Sequence, residues 1–283
     1  MGDDKPGNRT KVGLFIGDLH VGSHFGLMPK GFVLSNGEEV VLNRGQEYLL
    51  ECWKDMLATI PRRLDFLFVN GDSIDCDKPN ELGVGLCEPD LSYQVMAAYE
   101  LLEPLAKRAK HVFFTAGTPY HVGSWAWREN MLAQQLGAER GEMGRFAPLW
   151  WHVVVNGVHL DVAHHQSRMI RYPATALARE AEFAALVADL MEAGKADVVV
   201  RSHVHRFIQV NVDGLLGIGV PAFCLQSGYA KHSKVPNRML SRYIGGVLVK
   251  ILPEGKAARR SSRIVVDEIL YPHPKIAAKV VEV

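Results

Sequence analysis

Nine residues in this chain have the types and spacing to do chemistry. They are Asp18 and His20 in GDLHVG, Asp72 in NGDSID, Thr118 and His121 in FTAGTPYH, His164 and His165 in DVAHH, and His203 and His205 in RSHVHRF. Each group follows an apolar run. A carboxylate and an imidazole two residues apart can reach one cation from an extended strand exit. Asp72 has two oxygens and can bridge two cations. His203 and His205 alternate by two, so both can point from one face of an extended segment. Mixed carboxylate and imidazole donors suit Mn, Fe or Zn better than Ca or Mg alone. Taken singly, an Asp-x-His or a Gly-Asp is only a polar strand end or a turn. The ordered succession of five such elements carries the reading.

Strands and helices must position these groups. VGLFI (12–16) reads as a buried strand ending at Gly17-Asp18. QEYLLECWKDMLATI (46–60) has helical spacing and is stopped by Pro61. LDFLFV (64–69) is a second strand, ending at Asn70-Gly71-Asp72. After a loop over 73–90, Asp90 or Ser92 can cap a helix running to about Ala109. HVFFTAG is the third strand, and 125–136 the next helix. Alternating strand and helix implies parallel strands with crossover helices, with sites gathered past the strand ends.

The second half reads differently. WWHVVV (150–155) and VHLDVA (158–163) flank Asn156-Gly157, a tight hairpin signal. A long Ala-rich helix spans 174–193 and a strand spans 196–200. A second hairpin turns at Asp213-Gly214, between strands at 206–211 and 215–220, and strands at 246–252 and 262–267 close the fold. The expectation is an α/β chain of two packed sheets forming a single domain over 1–283, with residues 1–10 as a flexible N-terminus.

Composition bounds the function. The 283 residues are 48% hydrophobic and 22% charged, which suits a globular protein with a substantial core. Formal charge is +1, so bulk electrostatics do not favour nucleic acid. Cys52, Cys76, Cys87 and Cys224 form no CxxC pair, which argues against a zinc finger and for a reducing compartment. The polar start and short apolar runs offer neither a signal peptide nor a membrane span, so a cytoplasmic location is expected.

The ordered motifs resemble those of the calcineurin-like metallophosphoesterase family: Asp-x-His, Gly-Asp, Gly-Asn-His, a lone His, then Gly-His-x-His. The likeness covers roughly residues 11–250. It implies a four-layer double β-sandwich flanked by helices. It also implies two divalent metal ions, with Mn first and Zn, Fe, Ni or Mg as alternatives. Carried over residue by residue, it assigns Asp18, His20 and His205 to one metal and His164 and His203 to the other, with Asp72 bridging. His165 is left to contact phosphate. Two departures stand out. Ser202 replaces the Gly before His203. Thr118 stands where an Asn ligand is usual, and the following His is displaced to His121, as in phage-type variants with Gly-Thr-x-x-His.

The implied activity is phosphoester hydrolysis by a metal-activated water, with Asp72 and the bridging solvent holding the metal pair. His121 is the candidate acid for the leaving oxygen, and Thr118 an uncertain ligand of the second ion. A phosphodiester is preferred over a phosphomonoester, with nucleotides or nucleic acid as candidate substrates. A non-catalytic metal-binding scaffold is the alternative. Arg168 and Arg171, with Lys231, His232 and Lys234, are candidates to bind phosphate oxygens. Trp125 and Trp127 are read as packing residues. No membrane partner is implied, and the oligomeric state is left open.

Overall fold

The computed structural model describes residues 9–78, 82–165, 173–191, 195–226, 241–255 and 259–274. Arg168, Arg171, Lys231, His232 and Lys234 lie outside these residues, as do 1–8 of the N-terminus. Two five-stranded sheets form the frame. The first has the order β10-β9-β1-β2-β3, built from Ile264–Pro272, Tyr243–Ile251, Lys11–Ile16, Leu64–Asn70 and Ala109–Thr115. The second has the order β4-β5-β6-β8-β7, from Trp150–Val155, Val158–Ala163, Val198–Arg201, Leu215–Gly219 and Ile208–Val212.

Strand parity explains the layers. Successive side chains of a strand point to opposite faces. Leu14, Ile16, Leu67, Val69, Val112 and Phe114 face helices α1 (Arg44–Thr59), α2 (Leu91–Ala106) and α4 (Trp127–Gln135). Their neighbours Phe15, Phe66, Phe68 and Phe113 face the second sheet, meeting Val158, Leu160, Val162, Val198 and Val200. Phe15, Phe68 and Phe113 stack in series across the sheet, with ring centroids 5.1 and 4.6 Å apart. Such strands are buried on both faces, which is why they read as unbroken apolar runs. Helix α5 (Pro173–Met191) packs on the far side of the second sheet. The result is the four-layer sandwich that the motifs imply.

The β1-β2-β3 pairings are parallel, as the strand–helix alternation requires. Asn43 caps α1 with a complete capping box, and Asp90 caps α2 through Ser92 N–H and Tyr93 N–H. Both hairpins turn where expected. Asn156 and Gly157, at φ 49° and 72°, and Asp213 and Gly214, at φ 51° and 89°, adopt the left-handed turns that right-twisted strands need.

Several boundaries differ from expectation. The helix expected at 125–136 begins only at Trp127, because Trp125 and Ala126 both have positive φ. A separate short helix, α3 (Pro119–Val122), fills the displaced motif. The last strand runs on to Pro272, because β9 pairs with it along its whole length. The packing role read for Trp125 is not what forms: its side chain is 81% exposed. Arg9 is not free either. It forks onto Asp65, at 2.5 and 3.1 Å.

Candidate metal centre

The candidate residues converge past the C-terminal ends of β1, β2, β3, β5 and β6. Asp18, His20, Asp72 and His164 are buried, with at most 1% exposure. Asp18 Oδ1 lies 3.2 Å from His205 Nε2 and 3.9 Å from both His20 Nε2 and His164 Nε2. Asp72 Oδ2 lies 3.1 Å from His164 Nε2. Among the described residues, three overlapping groups have ligand atoms within 4.8 Å of one another: Asp72-His164-His203, His20-Asp72-His121 and His20-His205-Cys224.

The backbone is bent to make this possible. Asp18, His20, Asp72, His203 and His205 all have left-handed φ, between 47° and 69°. L-residues pay for that conformation, and it collects at functional sites. Loop-to-loop hydrogen bonds hold it: Asp18 N–H donates to Gly71 O at 2.9 Å, and His20 N–H to Asp72 O at 3.0 Å. Gly71 has φ 75°, and a Cβ there would lie 2.5 Å from the His164 ring. The Gly of Gly-Asp is therefore needed for both turn and packing.

Polar partners fix the rings. His164 Nδ1 donates to Asn70 O at 2.7 Å, which turns Nε2 inward. Asn70 also ties the two halves of the chain, its amide donating to Ala163 O and to Ser202 Oγ. Ser202, the departure noted before His203, thus has a defined structural contact. His205 sets Nδ1 3.7 Å from Cys224 Sγ and Nε2 against Asp18.

Buried polar atoms normally find a hydrogen-bond partner. Here Asp18 Oδ1, both ring nitrogens of His20 and His164 Nε2 make no well-formed hydrogen bond, although carboxylate and ring atoms of the cluster lie 3.1–3.9 Å from one another. A neutral imidazole offers one acceptor nitrogen, and buried carboxylate together with imidazole is a donor set that suits a divalent cation. The charge balance agrees. Burial opposes the His164 cation, yet the Asp72 and Asp18 carboxylates outweigh it and push the pKa up to about 10. Burial likewise opposes the charge on His205, and Cys224 and Asp18 raise it well above the ordinary value. Burial would raise Asp72, but His164 holds it well below the usual carboxylate range. Protons on histidine thus balance the buried carboxylates. His203 shows the opposite behaviour, pushed down to about 4 by burial and by His164.

The displaced motif lies within this centre. Thr118 N–H donates to Asp72 Oδ1 at 2.7 Å, and its hydroxyl lies 3.2 Å from both Asp72 oxygens. His121 comes from α3. Its ring stands edge-on to His20, centroids 4.4 Å apart, and its Nδ1 lies 2.7 Å from Asp75 Oδ1. Lys78 neutralises the other Asp75 oxygen at 3.0 Å. Burial would raise Asp75, but His121 and His20 hold it low. His165 is exposed, its ring 4.8 Å from that of His203.

Three participants were missed in the sequence reading. Asp75 was visible as the second acid of GDSID, three residues after Asp72. Glu129 had no local signal. It is buried in α4 and accepts Ser73 N–H at 2.8 Å and Gly117 N–H at 2.6 Å, clamping the β2 and β3 exits together. Burial and then Asp72 push its pKa up to about 7. Cys224 arrives from far along the chain.

No family model matches this chain, and no curated protein is similar to it. Solved structures similar to it include Vacuolar Protein Sorting 29 from Cryptosporidium parvum, at 12% identity and TM-score 0.44, covering 94% of this chain and 100% of that one. The E. coli phosphoesterase YfcE is 12% identical at TM-score 0.43, covering 91% and 99%. A novel archaeal phosphodiesterase is 10% identical at TM-score 0.43, covering 92% and 99%. The architecture and the order of the Asp and His motifs in the present chain are those that the resemblance to calcineurin-like metallophosphoesterases implies.

Proposed function

We propose that the protein is a metal-dependent phosphoester hydrolase. The observation that supports this best is the buried cluster of carboxylates and imidazoles from Asp18, His20, Asp72 and His164, in which Asp18 Oδ1, the His20 ring nitrogens and His164 Nε2 make no well-formed hydrogen bond. Asp18, His20 and His205 would hold one divalent cation and His164 and His203 a second, with Asp72 between them. Bound cations supply Lewis acidity and a water of lowered pKa. Thr118 acts as a clamp, because its N–H and hydroxyl both engage Asp72. A hydrogen bond made behind a ligand in this way fixes its orientation and tunes a metal site.

His121 is the acid. Asp75 accepts its Nδ1–H, which leaves Nε2 to carry the transferable proton. A water that has released one proton to solvent bonds through its oxygen to phosphorus as the bond from phosphorus to the leaving oxygen breaks, and His121 gives that leaving oxygen its proton. Such transfer contributes typically about 10²–10⁴-fold in rate. A phosphodiester is the preferred substrate class, and manganese the first metal to try.

The test strips the protein of metal, restores Mn²⁺ and measures release of p-nitrophenol from bis(p-nitrophenyl) phosphate and p-nitrophenyl phosphate. Metal-dependent turnover, faster on the diester, is expected. Stoichiometric metal binding with no turnover on either ester would leave a metal-binding scaffold instead.

A further inference from the structure

Beside the metal centre, on the outer face of the second sheet, lies a groove of about 630 Å³. Its origin is the parity of β4. Trp151, Val153 and Val155 turn inward to the sandwich core, which sends Trp150 and His152 outward. Helix α5 packs chiefly on β6, β7 and β8, and the groove runs between that helix and β4.

Its walls are Tyr120, Leu149, Trp150 and Phe183, with exposures of 51, 63, 37 and 60%. Four large apolar side chains facing one cleft form a patch that marks a binding site rather than scattered surface residues. The groove ends at Gly117, Thr118 and His165, and Thr118 is the residue that clamps Asp72. The groove therefore abuts the metal centre, with Thr118 between them. The charges of the floor are paired with one another: Arg201 sits between Asp161, at 2.6 Å, and Glu180, at 3.2 Å, and His152 lies 3.5 Å from Asp161. Arg201 is already engaged by carboxylates, which suits a neutral occupant of the groove better than a phosphate group. The volume lies in the range of small-molecule pockets.

We propose that the groove binds a flat, uncharged aromatic arm of the substrate while the phosphoryl group sits at the metal centre. The substrate is then a small phosphoester carrying an aryl group or a nucleobase. This rests on the phosphoesterase reading and adds the substrate's organic part to it.

Calorimetric titration of the Mn²⁺-loaded protein with phenylphosphonate and methylphosphonate tests it, since the two differ only in the arm. Phenylphosphonate should bind about tenfold tighter, equivalent to ~1.4 kcal/mol. In the Trp150→Ala/Phe183→Ala double variant, that ratio should fall towards one. Neither side chain belongs to the buried core, Trp150 being 37% and Phe183 60% exposed, so the variant should keep its fold, which circular dichroism checks. Thymidine 5′-phosphate in the same series separates a nucleobase from a simple aryl group. Equal affinity for the two phosphonates, or a ratio that survives the double substitution, overturns the inference. Turnover of bis(p-nitrophenyl) phosphate alongside equal phosphonate affinities would reject the groove and keep the hydrolase. Loss of turnover and of all phosphonate binding would reject both.

Discussion

Gly117→Ala is the sharpest test of the centre's geometry. Gly117 has no left-handed φ, so the substitution introduces a steric effect alone. A Cβ there would lie 2.2 Å from Asp72 Oδ1, 2.4 Å from Asp72 N and 3.0 Å from Asp72 Cα. Ordinary contact begins at 3.4 Å, so the carboxylate must retreat by about 1.2 Å, a displacement of the size that costs ~10² in rate. Rotating the side chain cannot relieve the clash, because the Asp72 backbone nitrogen is also too close. That backbone is tied to β1 by the bond from His20 N–H to Asp72 O. The strain therefore passes to His20, on the other side of the centre. Overpacking costs about 1–3 kcal/mol, which leaves a folded variant to assay. Expected results are Mn²⁺ content below wild type and kcat/KM for bis(p-nitrophenyl) phosphate down by about 10². Gly255→Ala, whose nearest contact would be 3.9 Å away, is the matched control. Full metal content with kcat/KM within about threefold of wild type would refute the reasoning.

Three further outcomes are expected. His121→Ala should lower kcat by about 10²–10⁴ for an alkyl leaving group and less for p-nitrophenolate, which leaves without a proton; unchanged catalysis at intact metal content would remove His121 as the acid. Glu129→Ala leaves the N–H groups of Ser73 and Gly117 unpaired in the interior, at about 1–3 kcal/mol each, so urea denaturation should show a stability loss well above that of a surface substitution. Asp65 bears on acid stability. Burial would raise it, but Val12 N–H, Arg9 and Lys11 hold its pKa below 3.8. A depressed carboxylate stabilises the fold above its unfolded value and loses that contribution as pH falls through its folded value. Asp65→Asn should therefore flatten the stability profile below about pH 4 and leave its shape near neutrality unchanged, as thermal melts across pH would show.

The resemblance foretold the two-sheet sandwich, and particular elements show why it was legible. Phe15, Phe66, Phe68 and Phe113 alternate with Leu14, Leu67, Val69 and Val112, so β1, β2 and β3 announce strands buried on both faces. Asn156-Gly157 and Asp213-Gly214 announce hairpins because they tolerate left-handed φ. Boundaries failed where tertiary pairing overrode local pattern, as in the extension of β10 along β9.

Asp18, His20, Asp72, His164, His203 and His205 stood out as candidate ligands because metal coordination would need those residue types just past strand ends, and strand ends show in the sequence. Hydropathy period and turn residues are local properties, and a sequence records them directly. What brings His121 onto Asp75, Glu129 between two loop amides, and Cys224 against His205 is the meeting of segments far apart in the chain. Such contacts leave no periodic trace. The left-handed backbone at five candidate ligands and the groove beside Trp150 and Phe183 belong to the same class. They follow from how two sheets and their crossing helices close on one another, and only the folded chain decides them.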